Sequence, residues 1–190
     1  MFTLMKSKFL IILIFFLLLS ISQLFLIKQF RILLPSIVGI NCMRHNICVE
    51  NLEDIQQAEV LYEEALDFVN KNVAVINQPP TVIFCATQSC FESFGFGYQK
   101  AVTFGQLGIV VGPNGWKDFF IRHEMIHHLQ NERWGSLRCR FFLPKWLVEG
   151  MAYSLSKDPR DDLAEPMRSQ RIQFEGWLKN IDKEQLWNQY

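Results

Sequence analysis

Residues 116–129 read WKDFFIRHEMIHHL, a largely apolar run that can be wound as a single helix. It holds the only H-E-x-x-H of the chain, His123-Glu124-Met125-Ile126-His127. On a helix, positions four apart differ by only about 40°, so His123 and His127 project from one face, one turn apart. Two imidazoles so placed can grip one metal ion. Zinc suits them, because it accepts neutral imidazole nitrogen and a hydrolytic site keeps one coordination position for water. Glu124, beside the first histidine, can reach that water as a general base. Three of the four histidines fall at 123, 127 and 128, a clustering that scattered surface histidines would not produce. His128 stands about 100° round the helix from His127 and reads as a structural or rim residue.

A third ligand should come from a second helix, and residues 144–157, PKWLVEGMAYSLSK, supply one that opens on a proline. Glu149 lies 22 residues after His127, with residues 131–143 between them as a turn and connecting loop. H-E-x-x-H followed by W-L-x-E-G-x-A resembles the gluzincin clan of zinc metallopeptidases over residues 116–156. The resemblance implies His123, His127 and Glu149 as zinc ligands, Glu124 as the catalytic base and a zincin-like fold. It also implies a sheet edge that binds extended substrate, for which residues 109–111 are the candidate. Gly150 is expected to let the two zinc-bearing helices approach closely. Some clan members place an aspartate four residues after the ligand glutamate. This chain has Tyr153 there, which leaves open a hydrogen bond to an oxyanion, support of a ligand or simple core packing. Glu132 and Asp158 are the competing carboxylates, one too near the helix end and one in a polar break that fixes no direction.

Upstream of this pair, residues 51–72 repeat apolar side chains at three- and four-residue intervals, as an amphipathic helix does. Residues 81–86 read as a buried strand, residues 91–97 as a turn or short helix, and residues 101–104 and 108–112 as a hairpin joined at Gly105-Gln106. Residues 166–178 form a closing helix with Phe174, Trp177 and Leu178 turned inward.

Residues 9–27 are nineteen in number, interrupted only by Ser20, Ser22 and Gln23 and preceded by Lys6 and Lys8. That length spans a bilayer as a transmembrane anchor; the alternative is a cleaved signal peptide ending near Ser22. Cys42/Cys48 and Cys85/Cys90 are close enough for local disulfides, with Cys139 left over. Cys42-x-x-His45-x-x-Cys48 also has a metal-like look but no evident fourth ligand. Nineteen basic and nineteen acidic side chains balance, with no basic run, so nucleic acid is disfavoured as a partner.

The expectation is therefore an α+β chain: residues 1–34 as tail and transmembrane anchor, and residues 35–190 as one zincin-like domain with a small mixed sheet and a two-helix zinc site. Its expected activity is zinc-dependent hydrolysis of a peptide or protein substrate, from a membrane-tethered, extracytoplasmic position. A catalytically silent zinc domain serving assembly, and a zinc amidase acting on a non-peptide substrate, are the alternatives.

Overall fold

The computed structural model describes Ile12, Ile14, Phe15 and residues 27–43, 46–181 and 185–188. Most of the expected anchor, residues 9–27, lies outside the described residues, as does His45. Among the described residues no helix is long and apolar enough to cross a membrane.

The fold is α+β, with a small mixed sheet of five strands: β1 (Asn41–Cys42), β2 (Ile47–Val49), β3 (Val82–Phe84), β4 (Ala101–Phe104) and β5 (Gly108–Val111). Their order is β1-β2-β3-β5-β4, parallel from β2 through β3 to β5 and antiparallel at both edges. The helices are α1 (Ile55–Asn72), α2 (Gln88–Ser93), α3 (Asp118–Trp134), α4 (Ser136–Phe141), α5 (Lys145–Leu155) and α6 (Met167–Leu178). Short 3-10 turns at Lys28–Leu33 and Pro35–Val38 precede β1.

Side chains alternate across the sheet with the strand period of two. Ile47, Val49, Val82, Phe84, Ile109 and Val111 enter one core, beneath α1 and α3. Cys48, Ile83, Cys85 and Val110 enter the other, with Ile32, Ile40, Phe91 and Phe94. With both faces covered, the three central strands are apolar throughout. From α1 the stripe Ala58, Tyr62, Ala65 and Val69 is buried, whereas Leu52, ahead of the helix, is exposed. Packed structure begins ahead of Pro35, because Ile32 is buried and Arg31 donates from Nη1 to the Ser93 carbonyl at 2.7 Å. Disulfides join Cys42 to Cys48 across the β1/β2 pair and Cys85 to Cys90 at the end of β3, and Cys139 is a free, buried thiol.

Four expectations need correction. Residues 109–111 cannot be a substrate edge, because β5 is hydrogen-bonded on both sides; the edge strand is β4. Residues 131–143 are not a plain loop: α3 runs on to Trp134, turns at Gly135 with φ +86°, and is followed by α4. Gly150 serves a different contact from the one expected. A Cβ there would stand 2.2 Å from the Gln170 carbonyl oxygen and 2.8 Å from Phe174 Cβ, so it is α6 that presses on α5 at this point. Asp158 is buried and firmly directed, as described below.

Candidate metal centre

Helix α3 is set by what precedes it. Trp116 donates from Nε1 to the Cys85 carbonyl at 2.9 Å and packs its ring on Phe84, which ties the start of α3 to the end of β3. Asp118 stands in the first turn, where the helix dipole favours an acid. From this base α3 presents His123, Glu124 and His127 towards a cavity of about 720 Å³ that is walled on the other sides by β4, α4 and α5. Helix α5 brings Glu149 to the same place.

His123 Nε2 lies 3.0 Å from His127 Nε2, and Glu149 Oε2 lies 3.8 Å from the first and 3.5 Å from the second. Donors at zinc-ligand distance round a tetrahedral ion stand about 3.3 Å from one another. Two imidazole nitrogens and one carboxylate oxygen with this spacing suit zinc in number, chemistry and separation. Glu132 is excluded by its own contacts, since its carboxylate accepts the Asn77 N–H at 3.0 and 3.1 Å. Asp158 is tied up as well. Arg160 donates to its Oδ1 from the backbone N–H at 3.0 Å and from Nε at 2.9 Å.

Two further residues, Gln130 and Thr103, belong to the site. Gln130, itself 1% exposed, donates from Nε2 to the Val148 carbonyl at 2.9 Å. A carbonyl only accepts, so the amide is oriented and its Oε1 must face His127 Nδ1, 2.8 Å away. That nitrogen therefore carries a proton and Nε2 is the one turned to the metal position. The second addition is Thr103 on β4, whose Oγ1 is 2.7 Å from Glu124 Oε2 and 2.8 Å from the Glu124 backbone oxygen. Its single proton serves one acceptor at a time. Gln130 could have been found from its place three residues after His127 on one helix face. Thr103 has no local signal, because the sheet delivers it from 21 residues away.

Electrostatics at the three donors favours positive charge beside Glu149. Burial works against charge on His127, but the Glu149 carboxylate, helped by Glu124 and by the Gln130 hydrogen bond, outweighs it and pushes the imidazole up to about 9. Burial would likewise raise Glu149, yet His127 holds it down at about 2. Burial and the neighbouring charge of His127 together push His123 down to about 3. The same carboxylate that draws a proton to His127 would favour a cation placed among the three donors, and that cation would compete with the proton. Burial pushes the Glu124 carboxyl above its ordinary value, a direction suited to a group that both takes and gives a proton.

Tyr153 packs edge-on against the His123 ring with centroids 4.4 Å apart and lines the cavity. His128 points elsewhere. It donates from Nε2 to the Gln78 carbonyl at 2.8 Å, and burial lowers its pKa, so it is a neutral structural residue. The Cys42–Cys48 disulfide uses both thiols of the other metal-like motif. Compared with protein-family models, curated proteins and solved structures, the chain matches none.

Proposed function

We propose that this chain is a zinc-dependent peptide-bond hydrolase of gluzincin type, with a zincin-like arrangement of the sheet and the two ligand-bearing helices. The observation that carries the reading is the convergence of His123, His127 and Glu149 donor atoms within 4.8 Å of one another, with Glu124 alongside but outside the donor set. A purely structural site would not need the Glu124 carboxylate, whereas hydrolysis requires a base beside the metal.

Bound zinc would polarise the scissile carbonyl and acidify a water. The chain's own groups do the rest. Glu124 receives the proton of the attacking water and delivers it to the departing amine, and Thr103, within hydrogen-bond reach of Oε2, positions the carboxylate. Gln130 keeps His127 turned to the metal. Edge strand β4 provides the substrate rail. Gly112 N–H donates to the Lys100 carbonyl at 2.8 Å, and Ile109 and Val111 turn their backbone groups towards β3. Alternation along the ladder therefore leaves the N–H and C=O of Ala101 and Thr103 on the open side, where an extended peptide can pair with them. Tyr153 faces the same cavity and can donate to a developing oxyanion.

The apolar run at residues 9–27 supports anchoring in a membrane, and the two disulfides support an oxidising, extracytoplasmic location for the domain. The deciding experiment pairs zinc titration with a mass-spectrometric survey of cleaved peptides, on full-length protein in detergent. Glu124→Gln should bind zinc as wild type does and lose on the order of 10²-fold or more in turnover. Glu149→Ala should lose zinc affinity and cleavage, and Glu132→Ala neither. Unchanged zinc affinity in Glu149→Ala, or undiminished turnover in Glu124→Gln, removes the assignment.

A further inference from the structure

Charge is unevenly spread around the candidate site. Over the whole chain 19 basic side chains match 19 acidic ones. The charged residues lining the 720 Å³ cavity, however, are Lys100, Arg140, Lys145 and Arg160 against only Glu124 and Glu149. Both acids already serve the metal and its water in the reading above, and Arg160 is neutralised by Asp158. A second cavity of about 580 Å³ adjoins the first, sharing Lys100, Phe120 and Arg160 and adding Lys117 with no acid. Lys100, Lys117, Arg140 and Lys145 are all exposed, and among the described residues no salt bridge engages any of them. Arg140 lies over the Phe141 ring and Lys117 over the Phe119 ring, contacts that place the cations without neutralising them.

These four cations sit at the two ends of the edge strand. Lys100 immediately precedes β4, and Lys117 lines the second cavity with it. Arg140 and Lys145 line the first cavity from α4 and the head of α5, the side on which Gly105, just past β4, meets Ser136 at the start of α4, and Lys145 also acts on the Glu149 carboxylate. Thr103 and Glu124 lie between the two groups. From Lys100 to Gly105 an extended strand covers about 17 Å, the reach of a five- or six-residue peptide. A cleft lined by one sign of charge concentrates ligands of the other sign.

We propose that the substrate is an acidic polypeptide segment, laid along β4 with carboxylates on both sides of the bond that faces Glu124. This inference rests on the peptide-hydrolase reading and adds the class of substrate to it. A single exposed ion pair contributes little, but three or four together favour an acidic ligand by roughly tenfold or more, and salt weakens the preference.

Binding tests this separately from cleavage. Zinc-loaded, full-length Glu124→Gln protein in detergent is titrated into three labelled peptides that share an uncharged centre and differ only in flanking Glu, Gln or Lys residues, read by fluorescence anisotropy. The Glu peptide should bind at least tenfold more tightly than the Gln peptide, with the Lys peptide weakest. That advantage should shrink with added salt and in the Lys100→Ser/Lys145→Ser variant, whose zinc content stays that of the parent. Equal binding of the three peptides, or an advantage that survives the double variant, overturns the proposal. A sulfated polysaccharide that binds as tightly as the Glu peptide also overturns it, by reassigning the cations to a general polyanion surface. Failure of the hydrolase reading shows up elsewhere, as wild-type protein that cleaves none of the peptides.

Discussion

Gln130 carries no charge and supplies no metal ligand, yet the usefulness of His127 depends on it. Its amide is clamped by the Val148 carbonyl at 2.9 Å, and through that clamp it fixes which ring nitrogen of His127 holds a proton. Gln130→Ala should therefore lower zinc affinity about 10- to 100-fold, the usual cost of losing a partner that orients a ligand. Zinc titration with circular dichroism checks it, and wild-type affinity in a folded variant would sink the role assigned to Gln130. His123, Glu124, His127 and Glu149 were legible in the sequence because helical spacing places the first three together and a second motif supplies the fourth. Thr103 was not legible. Its contact with Glu124 exists only because β4 pairs with β5 and thereby passes in front of α3, and nothing in residues 101–104 announces this. Asp158 misled for a related reason: it stands in a polar break, but Arg160, two residues on, folds back and directs it.

The elements that sequence reading recovered are the ones with room to show a period. Helices α1, α3, α5 and α6 are 18, 17, 11 and 12 residues long, and each shows in the sequence through its apolar spacing or its opening signal. Helix α4 is six residues long and buries only Cys139, so it carries no stripe and its sequence reads as loop. Strand β2 leaves no local mark for the opposite reason: Ile47, Cys48 and Val49 are all buried, and three apolar residues in succession show no alternation. Gly150 belongs to this scale too. The surroundings of its Cα consist of the Gln170 carbonyl and Phe174 on α6, backbone and core atoms that cannot swing aside. Gly150→Ala should force α5 and α6 apart and cost about 1–3 kcal/mol, the range for overpacking a filled interface. Because Glu149 is the preceding residue, zinc affinity should fall with stability. A urea midpoint unchanged from wild type would show that the contact between these helices is not tight.

The covering of both sheet faces and the route from β5 into α3 belong to the whole molecule, and they decide where the site opens. Pattern alone gave the α+β class and the hairpin β4/β5 but placed the wrong strand at the edge, since strand order depends on pairings across residues 47–111 that no local window contains. After α5 the chain must return so that α6 can cover it, and the turn is held by Asp158. This carboxylate, in a residue 3% exposed, accepts hydrogen bonds from Arg160, and Arg171 of α6 donates to the Asp158 backbone oxygen at 3.2 Å. Burial alone would push the Asp158 carboxyl up, but the Arg160 hydrogen bonds outweigh burial and hold it below its ordinary value. A carboxyl whose folded pKa is depressed contributes stability that is fully present above its unfolded pKa, about 3.9, and is lost as pH falls through the folded pKa. Asp158→Asn should thus cost roughly 2 kcal/mol at neutral pH, the scale of a charge-assisted hydrogen bond left unmade. The gap between wild type and variant should hold down to about pH 5 and close below about pH 4. Urea unfolding of both proteins across that range, at fixed zinc, reads it directly. A gap that stays constant into acid would mean that the turn is held by shape and backbone hydrogen bonds, with the Asp158 charge contributing nothing.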